Sequence, residues 1–325
     1  VESGAGEVLV AGGPAEFGAG SNAVTGNRYT RLAWEQTRLA LLARAAWAVM
    51  NLGNLAPLAA SNNLVLTYDL HALRLPGHYR AGWAGAYWKL SAAAYRRARF
   101  RVTLTRTVAD DLEATLGQRV DAVIPPGVDD AFRPAPAARI QALRDRLGLV
   151  GPYLTVVGWA QPGKRVTLAV AAHRLLVRDL PHQLVAVGAR RTDFSSVEFG
   201  TLPASVVLPG RVSDEDLATL YSGSSGLVFC TQYEGFGLPP VEALACGAPV
   251  AASRLPVLEE VLGGLPGVSF VDGEDDRSWA VAMESALRSD QPAGRDDGPS
   301  ARSAAVLARY PWEGKGRALL DIVHG

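Results

Sequence analysis

EGFGLPPVE, residues 234–242, is the stretch on which the reading of this chain turns: two carboxylates, Glu234 and Glu242, bracket a Gly-Phe-Gly-Leu-Pro-Pro turn. Upstream, GLVFCTQY is a short apolar run of strand character. Downstream, PPVEALACG reads as a helix with proline near its first turn and Gly247 after its end. The turn therefore lies on a strand-to-helix crossing. Gly235 and Gly237 let the backbone approach a ligand and take angles closed to other residues, while the helix start offers unpaired N–H groups to an anion. A phosphate suits such a place. Glu242, read in the first helical turn, can accept hydrogen bonds from hydroxyl groups, and Glu234 stands ahead of the turn. Two isolated glutamates would be explained by the positive helix end and by solvation; the whole string is not.

A second strand-to-helix crossing has the same character. VVGWAQPGKR (156–165) puts a strand, Gly158, a short turn and Lys164 before a helix, and lysine is scarce here: Lys89, Lys164 and Lys315 are the three among 32 basic residues. Asp214-Glu215-Asp216 matches the DxD pattern of metal-dependent sugar transfer. Local physics explains it better, because Ser213 followed three residues later by Asp216 resembles a capping box and acidic groups favour a first helical turn. No metal is expected there. His78, His173, His182 and His324 show no clustering in sequence, and no Ser-His-Asp or metal-ligand grouping emerges.

At 325 residues the chain exceeds one ordinary domain, and two of about 150 residues are the default expectation. Net charge is zero but unevenly divided. Residues 1–149 carry 17 Lys and Arg against 12 Asp and Glu, and residues 150–325 carry 15 against 20. Arg96, Arg97, Arg99 and Arg101 lie in the basic half, where they suit either a solvated helix end or an acidic lipid surface. Cys230 and Cys246 are far from any CxxC spacing and read as buried, reduced thiols. The first residues lack a signal-peptide pattern, and the apolar stretch from Leu39 to Ala60 is broken by Arg44, Asn51, Asn54 and Pro57, so no membrane span is expected.

Strand and helix patterns alternate along the chain, which argues α/β units with parallel sheets. The first strand is read at Glu7–Ala11, a Gly/Asn-rich loop runs to Asn27, and helices follow at 31–46, 82–98, 108–116 and 139–147. Strands are expected around AVMNLG, LVLTYDL, RVTLT and VDAVIPP. The second alternation starts at PYLTVVG: strands 152–158, 183–187, 205–208, 226–230 and 249–252, with helices 165–179, 214–222, 240–246 and 256–262, then the helices of the tail. Pro125, Pro126, Pro134 and Pro136 punctuate the join, and the boundary is placed near residue 150.

Taken with that order, EGFGLPPVEALACGAPVAAS resembles the donor-site signature of the retaining family 4 glycosyltransferases, which have the GT-B fold of two Rossmann-like domains facing across a cleft. RLAWEQ (31–36), LTYDLHAL (66–73), VIPPGVDDAF (123–132), VVGWAQPGKR, LVAVGARR (184–191) and LPGRVSDEDLATLY (208–221) resemble successive segments of the same family. The likeness is greatest to its mannosyltransferase-like branch. It implies an acceptor-side domain at 1–149, a nucleotide-sugar domain at 150–310 and a last helix at 311–325 crossing back to the first domain. The family's first strand and glycine-rich loop precede the RLAWEQ segment by more than the thirty residues found here, so a missing or shortened version of them is expected.

The resemblance also assigns roles. Lys164 and the amides of 235–238 stabilise a departing diphosphate, Glu234 supports the sugar, and Glu242 holds the ribose. Gly158, Trp159, Gly188, Val212, Gly235, Phe236, Gly237 and Leu238 line the donor, with Arg165, Arg190, Arg191 or Arg211 as the open choice for a partner cation. Tyr68, Asp69 and His71 fall on the acceptor side, where the family's His-Asp pair is replaced by Tyr68-Asp69. The activity implied is metal-independent, retaining transfer from a nucleotide diphospho-sugar to a hydroxyl of a glycan, lipid-linked glycan or natural product. GDP, UDP and dTDP donors remain open, as does front-face against double displacement. No cofactor and no nucleic acid are expected; the location expected is cytoplasmic, with peripheral membrane contact through the basic half. A binding protein without turnover and a nucleotide-sugar 2-epimerase are the alternatives.

Overall fold

The computed structural model describes residues 28–79, 82–159, 161–188, 200–288 and 301–324, and these divide into two units. The strand expected at Glu7–Ala11, its loop and the question of a shortened start all lie outside the described residues.

In the first unit, β1 (Val49–Asn51), β2 (Asn63–Thr67), β3 (Phe100–Thr103) and β4 (Ala122–Val123) pair in that order, all parallel. β2 is buried on both faces, as a parallel strand covered on two sides must be. Period two sends Leu64 and Leu66 to one face with Val102, and Val65 to the other with Ala56, Ala94 and Ala98. The first of these faces is closed by the final helix, Lys315–His324, through Leu319, Ile322 and Val323. Asn63 and Asn51 are buried but satisfied. Asn63 donates to the Pro57 and Ala60 carbonyls at 2.8 and 2.9 Å, and Asn51 donates to Asn63 Oδ1 at 3.1 Å. The expected 31–46 helix is helical over residues 28–45, with a π turn at Glu35–Leu39. Gln36, within that turn, clasps the 56–58 segment, donating to Ala56 O at 2.9 Å and accepting from Leu58 N at 3.0 Å. Arg101 does not join a solvent-facing arginine cluster. Its guanidinium binds Tyr95 O and Gln118 Oε1, both at 3.1 Å.

The second unit holds β5 (Tyr153–Val157), β6 (Gln183–Val187), β7 (Val206–Gly210), β8 (Gly226–Phe229), β9 (Val250–Ser253) and β10 (Val268–Val271), all parallel, in the spatial order β10-β9-β8-β5-β6-β7. The chain winds outward from β5 through β6 to β7, returns to β8 and winds the other way. The order therefore reverses between β5 and β8, which is where doubly wound sheets bind ligands, beyond the carboxyl ends of the strands. Side-chain alternation again builds two cores. Leu154, Val156, Leu184 and Ala186 pack with the Val166–Leu176 helix and with Trp279 and Met283 of the Asp276–Arg288 helix. Tyr153, Val185 and Val187 pack with Leu143, Leu149 and Leu220.

That second core moves the domain join. The Ala137–Leu147 helix packs against Asp214–Gly223 and buries Leu143 in the second unit, which takes in Leu75–Ala81 and Pro126–Glu313, so residues 126–149, expected in the first domain, lie in the second unit. β10 was not anticipated either; it pairs with β9 at the sheet edge.

His173 and His182, unclustered in sequence, meet in the interior. His182 Nδ1 lies 2.7 Å from Leu180 O, which can only accept, so Nδ1 carries the hydrogen and Nε2 is left as an acceptor. His173 Nδ1, 2.7 Å from that Nε2, must donate, and its own Nε2 then accepts from the Ser205 hydroxyl at 2.7 Å. Both rings are satisfied when neutral. Burial, then His182 and Arg174, push His173 down to about 4, and burial lowers His182. A depressed folded-state value means stability is present above the unfolded value of about 6.5 and is lost as pH falls from there toward 4. His173→Gln is expected to be less stable than wild type at pH 7 and to lose less stability, by about 2–3 kcal/mol, between pH 7 and 4.5. Denaturant titrations at the two pH values check this; identical pH slopes for both proteins would refute it.

Candidate functional site

Loops leaving β5 and β8 converge at the reversal point. After β5, Gly158 takes φ +94°, and a Cβ there would lie 2.5 Å from Lys164 Cγ. Glycine is thus required by the lysine stem folded against it. The Gly158 and Trp159 N–H groups both donate to Val187 O, at 3.0 and 3.1 Å, and Gly188 N donates to Gly210 O at 2.9 Å, so the loops after β5, β6 and β7 are stitched side by side. The Pro162–Lys164 turn then delivers Lys164.

Lys164 Nζ forms an ion pair with Glu234 Oε1, with both side chains largely withdrawn from solvent. The ammonium stands 4.8 Å from the centroid of the Phe229 ring, the last residue of β8. Thr231 Oγ1 is 2.9 Å from the same Glu234 oxygen, and Gln232 N donates to Gly163 O at 2.8 Å. The β5 loop and the β8 loop are therefore joined by charge and by backbone. Thr231 was not singled out in the sequence; its place three residues before Glu234 in the loop is the one signal for it.

Arg165 has the one positive φ outside glycine among the described residues, at 45°. Its guanidinium turns inward, donating to Cys230 O at 2.9 Å and Thr231 O at 3.3 Å, and pairs with Glu274 at 3.0 Å. Of the candidate partner cations it is thus the one tied to the loop frame. Arg211 is exposed beyond β7, Val212 packs on the Leu143–Tyr153 core, and Arg190 and Arg191 lie outside the described residues. Cys230 and Cys246 are buried free thiols, with Cys230 pushed up to about 12 by burial.

After Glu234 the chain runs through buried Gly235 and Phe236 to Gly237, whose φ of +91° and whose approach to Leu258 Cδ2, 2.7 Å from a would-be Cβ, both demand glycine. Phe236 stacks edge-on against Tyr310, centroids 5.4 Å apart, and Tyr310 donates to Val261 O at 2.7 Å. The helix begins at Leu238, two residues earlier than expected. Glu242 consequently lies beyond the first turn, so a favourable position in that turn does not explain it. Pro239 and Pro240 have no N–H, so of the four donors that a helix start leaves unpaired, those of Gly237 and Leu238 remain. Burial, then the charges of Asp214 and Asp129, push the Glu242 carboxyl up to about 7, against the opposing effect of Lys164.

Ser213 accepts from Asp216 N at 3.2 Å, and Asp216 also pairs with Arg146 at 2.5 Å, so the DxD match serves helix capping and packing. In the first unit, Tyr68 is exposed at its ring, but its hydroxyl donates to Leu52 O at 2.7 Å. Asp69 accepts from His71 N at 3.0 Å at the start of the short His71–Arg74 helix. Tyr68, Asp69 and His71 are thus brought together at the carboxyl end of β2.

Comparison with known proteins fits this geometry. Residues 144–297 match the family described as glycosyl transferases group 1. The serotype-specific mannosyltransferase WbdA of Escherichia coli is 31% identical over 184 residues, 54% of this chain and 22% of the relative. A D-inositol 3-phosphate glycosyltransferase of Xylanimonas cellulosilytica is 32% identical over 242 residues, 68% of this chain and 55% of the relative. The chain spans about half, or less, of the length of these relatives. The solved structure of Alr3699/HepE from Anabaena in complex with UDP-glucose has a TM-score of 0.70 at 14% identity, covering 94% of this chain and 85% of that one, which places the fold in the expected GT-B class. Residues 144–297, the part that matches the glycosyl transferases group 1 model, hold Lys164, Glu234 and Glu242.

Proposed function

We propose that the protein transfers a sugar from a nucleotide diphospho-sugar to a hydroxyl acceptor, with retention at the anomeric carbon and without a metal, in building a glycan or glycosylating a natural product. The observation that carries this reading is the Lys164–Glu234 pair at the strand-order reversal, beside a helix start with two N–H donors that no described residue engages and a partly buried Glu242 whose carboxyl burial and two aspartates push up. Lys164 supplies mobile positive charge where the leaving diphosphate gathers negative charge, the part a metal ion plays elsewhere. Its partner Glu234 holds the ammonium in place and offers a carboxylate toward the sugar. Glu242, held ionised by ribose hydroxyls, fixes the nucleotide.

The hydroxyl acceptor and the peripheral membrane contact rest on the resemblance, and the donor base and sugar are open. Among the described residues no helix is long and apolar enough to cross a membrane. A second reading, a nucleotide-sugar-binding protein without turnover, is favoured by one observation: the Tyr68 hydroxyl is committed to Leu52 O. Transfer and hydrolysis assays over GDP, UDP and dTDP sugars, with binding followed by thermal shift, separate the two. Turnover with any donor supports the transferase; binding without turnover supports the second reading.

Lys164→Ala is expected to lower turnover by about a hundredfold or more. Near-normal turnover in steady-state assays would move the phosphate role elsewhere. Glu242→Ala should weaken nucleotide binding by roughly 1.5–3 kcal/mol, the worth of hydrogen bonds to a charged group. Unchanged affinity by calorimetry would remove the ribose assignment. Activity is expected to survive exhaustive chelation, and restoration only by added manganese or magnesium would contradict the assignment of Asp214 and Asp216 to capping.

A further inference from the structure

Tyr221 is a buried polar group that none of the roles above uses. It lies on the Asp214–Gly223 helix, fully buried, its ring 6.3 Å from that of Phe132. Among the described residues, its hydroxyl is the buried side-chain polar atom with no hydrogen-bond partner. A hydroxyl left this way forfeits its hydration with nothing in return, so a native chain keeps one only with cause.

The neighbours narrow the cause. The Asp214–Gly223 helix packs on the Leu238–Ala245 helix, and the groups acting electrostatically on Tyr221 are Glu242 and Cys246. Ser222, next in sequence, is already engaged, donating to Ala218 O at 2.8 Å and accepting from Ala135 N at 2.9 Å. A thiol is a weak acceptor. Glu242 is different: its carboxylate accepts no hydrogen bond from any described residue, and the residue is only partly buried. A dry donor without an acceptor thus neighbours a carboxylate without a donor.

We propose that Tyr221 is a positioning residue for nucleotide binding: its hydroxyl, unpartnered in the nucleotide-free protein, turns to donate to the Glu242 carboxylate when ribose hydroxyls engage that carboxylate. The inference rests on the reading of Glu242 as the ribose acceptor. In the nucleotide-free protein the charges that act on Glu242 are those of Asp214 at the start of the Tyr221 helix, Asp129 in the loop after β4 and Lys164 in the turn after β5, and Glu242 in turn acts on Cys246 at the end of its own helix. Burial and the two aspartates oppose ionisation. A phenolic donor favours it, because a hydrogen bond to the charged form lowers a carboxyl's pKa. Nucleotide affinity should therefore fall as pH falls and Glu242 is protonated, and loss of the Tyr221 donor should move that fall to higher pH.

The test is Tyr221→Phe, which removes one oxygen and keeps the packing. Calorimetry with GDP, UDP and dTDP from pH 5.5 to 8.5 is expected to show affinity about three- to tenfold weaker at pH 7.5 and a pH midpoint moved upward, with the melting temperature of the nucleotide-free protein unchanged or higher. In a Glu242→Gln background the same substitution should add no further loss and no shift of midpoint. Unchanged affinity and pH profile, with only a rise in melting temperature, would make Tyr221 core filling and overturn the proposal. If Glu242→Ala itself leaves affinity intact, the ribose assignment fails first, which is a separate and recognisable result.

Discussion

The ion pair between Lys164 and Glu234 is the constraint around which the second unit's loops are arranged. It ties the end of β5 to the end of β8 at the point where the strand order reverses. An ammonium partly withdrawn from water needs a compensating charge, and a carboxylate in the same place needs one too. Each therefore holds the other's loop. The rest follows from accommodating the pair: Gly158 because the lysine stem lies against it, Thr231 because Glu234 needs a second donor, and Phe229 because a ring face can hold the ammonium from below. Arg165, in a left-handed conformation, clamps the β8 loop through two carbonyls and leaves Lys164 as the cation turned toward the carboxylate.

Glu242 shows how the same helix start sorts two anions. Gly237 opens the helix in a conformation that L side chains resist, and the two prolines remove half of the donors a helix start would offer. The two N–H groups that remain sit at the helix tip, suited to a phosphate. One turn further on, Glu242 gains nothing from that tip and is surrounded by burial and by Asp214 and Asp129. A carboxyl kept at the edge of ionisation is a poor structural element. In the proposed function it receives the ribose hydroxyls, and hydrogen bonds from them favour its charged form.

Much of the second unit was legible because its strands are short apolar runs bounded by glycine, proline and acidic caps. β6 falls at 183–187 as read, and Ser213 caps its helix as read. What escaped was decided by contacts between segments distant in sequence. The charged helix at Ala137–Leu147 shows no sign in its own residues of which sheet it covers; Leu143 meeting Tyr153 and Leu220 decides it. β10 is a four-residue strand that follows a glycine-rich turn and carries Ser269, and its register is set by β9. His173 and His182 lie nine residues apart on a helix and the following loop, so no periodicity joins them, and an unpartnered Tyr221 hydroxyl leaves no trace in a sequence at all. At the site, Gly158 and Gly237 were readable as positions that call for glycine, whereas the place of Glu242 beyond the first helical turn, the inward turn of Arg165 and the commitment of the Tyr68 hydroxyl were not.

In the proposed function a nucleoside diphosphate occupies the reversal point between β5 and β8. A crystal structure of the protein soaked with the diphosphate that binds best tests it directly. The expected result is phosphate oxygens within hydrogen-bond distance of Lys164 Nζ and of the Gly237 or Leu238 N–H, with the ribose on the Glu242 carboxylate. A nucleotide bound elsewhere, or one seated there with its ribose turned away from Glu242 and its phosphates out of reach of Lys164, would contradict it.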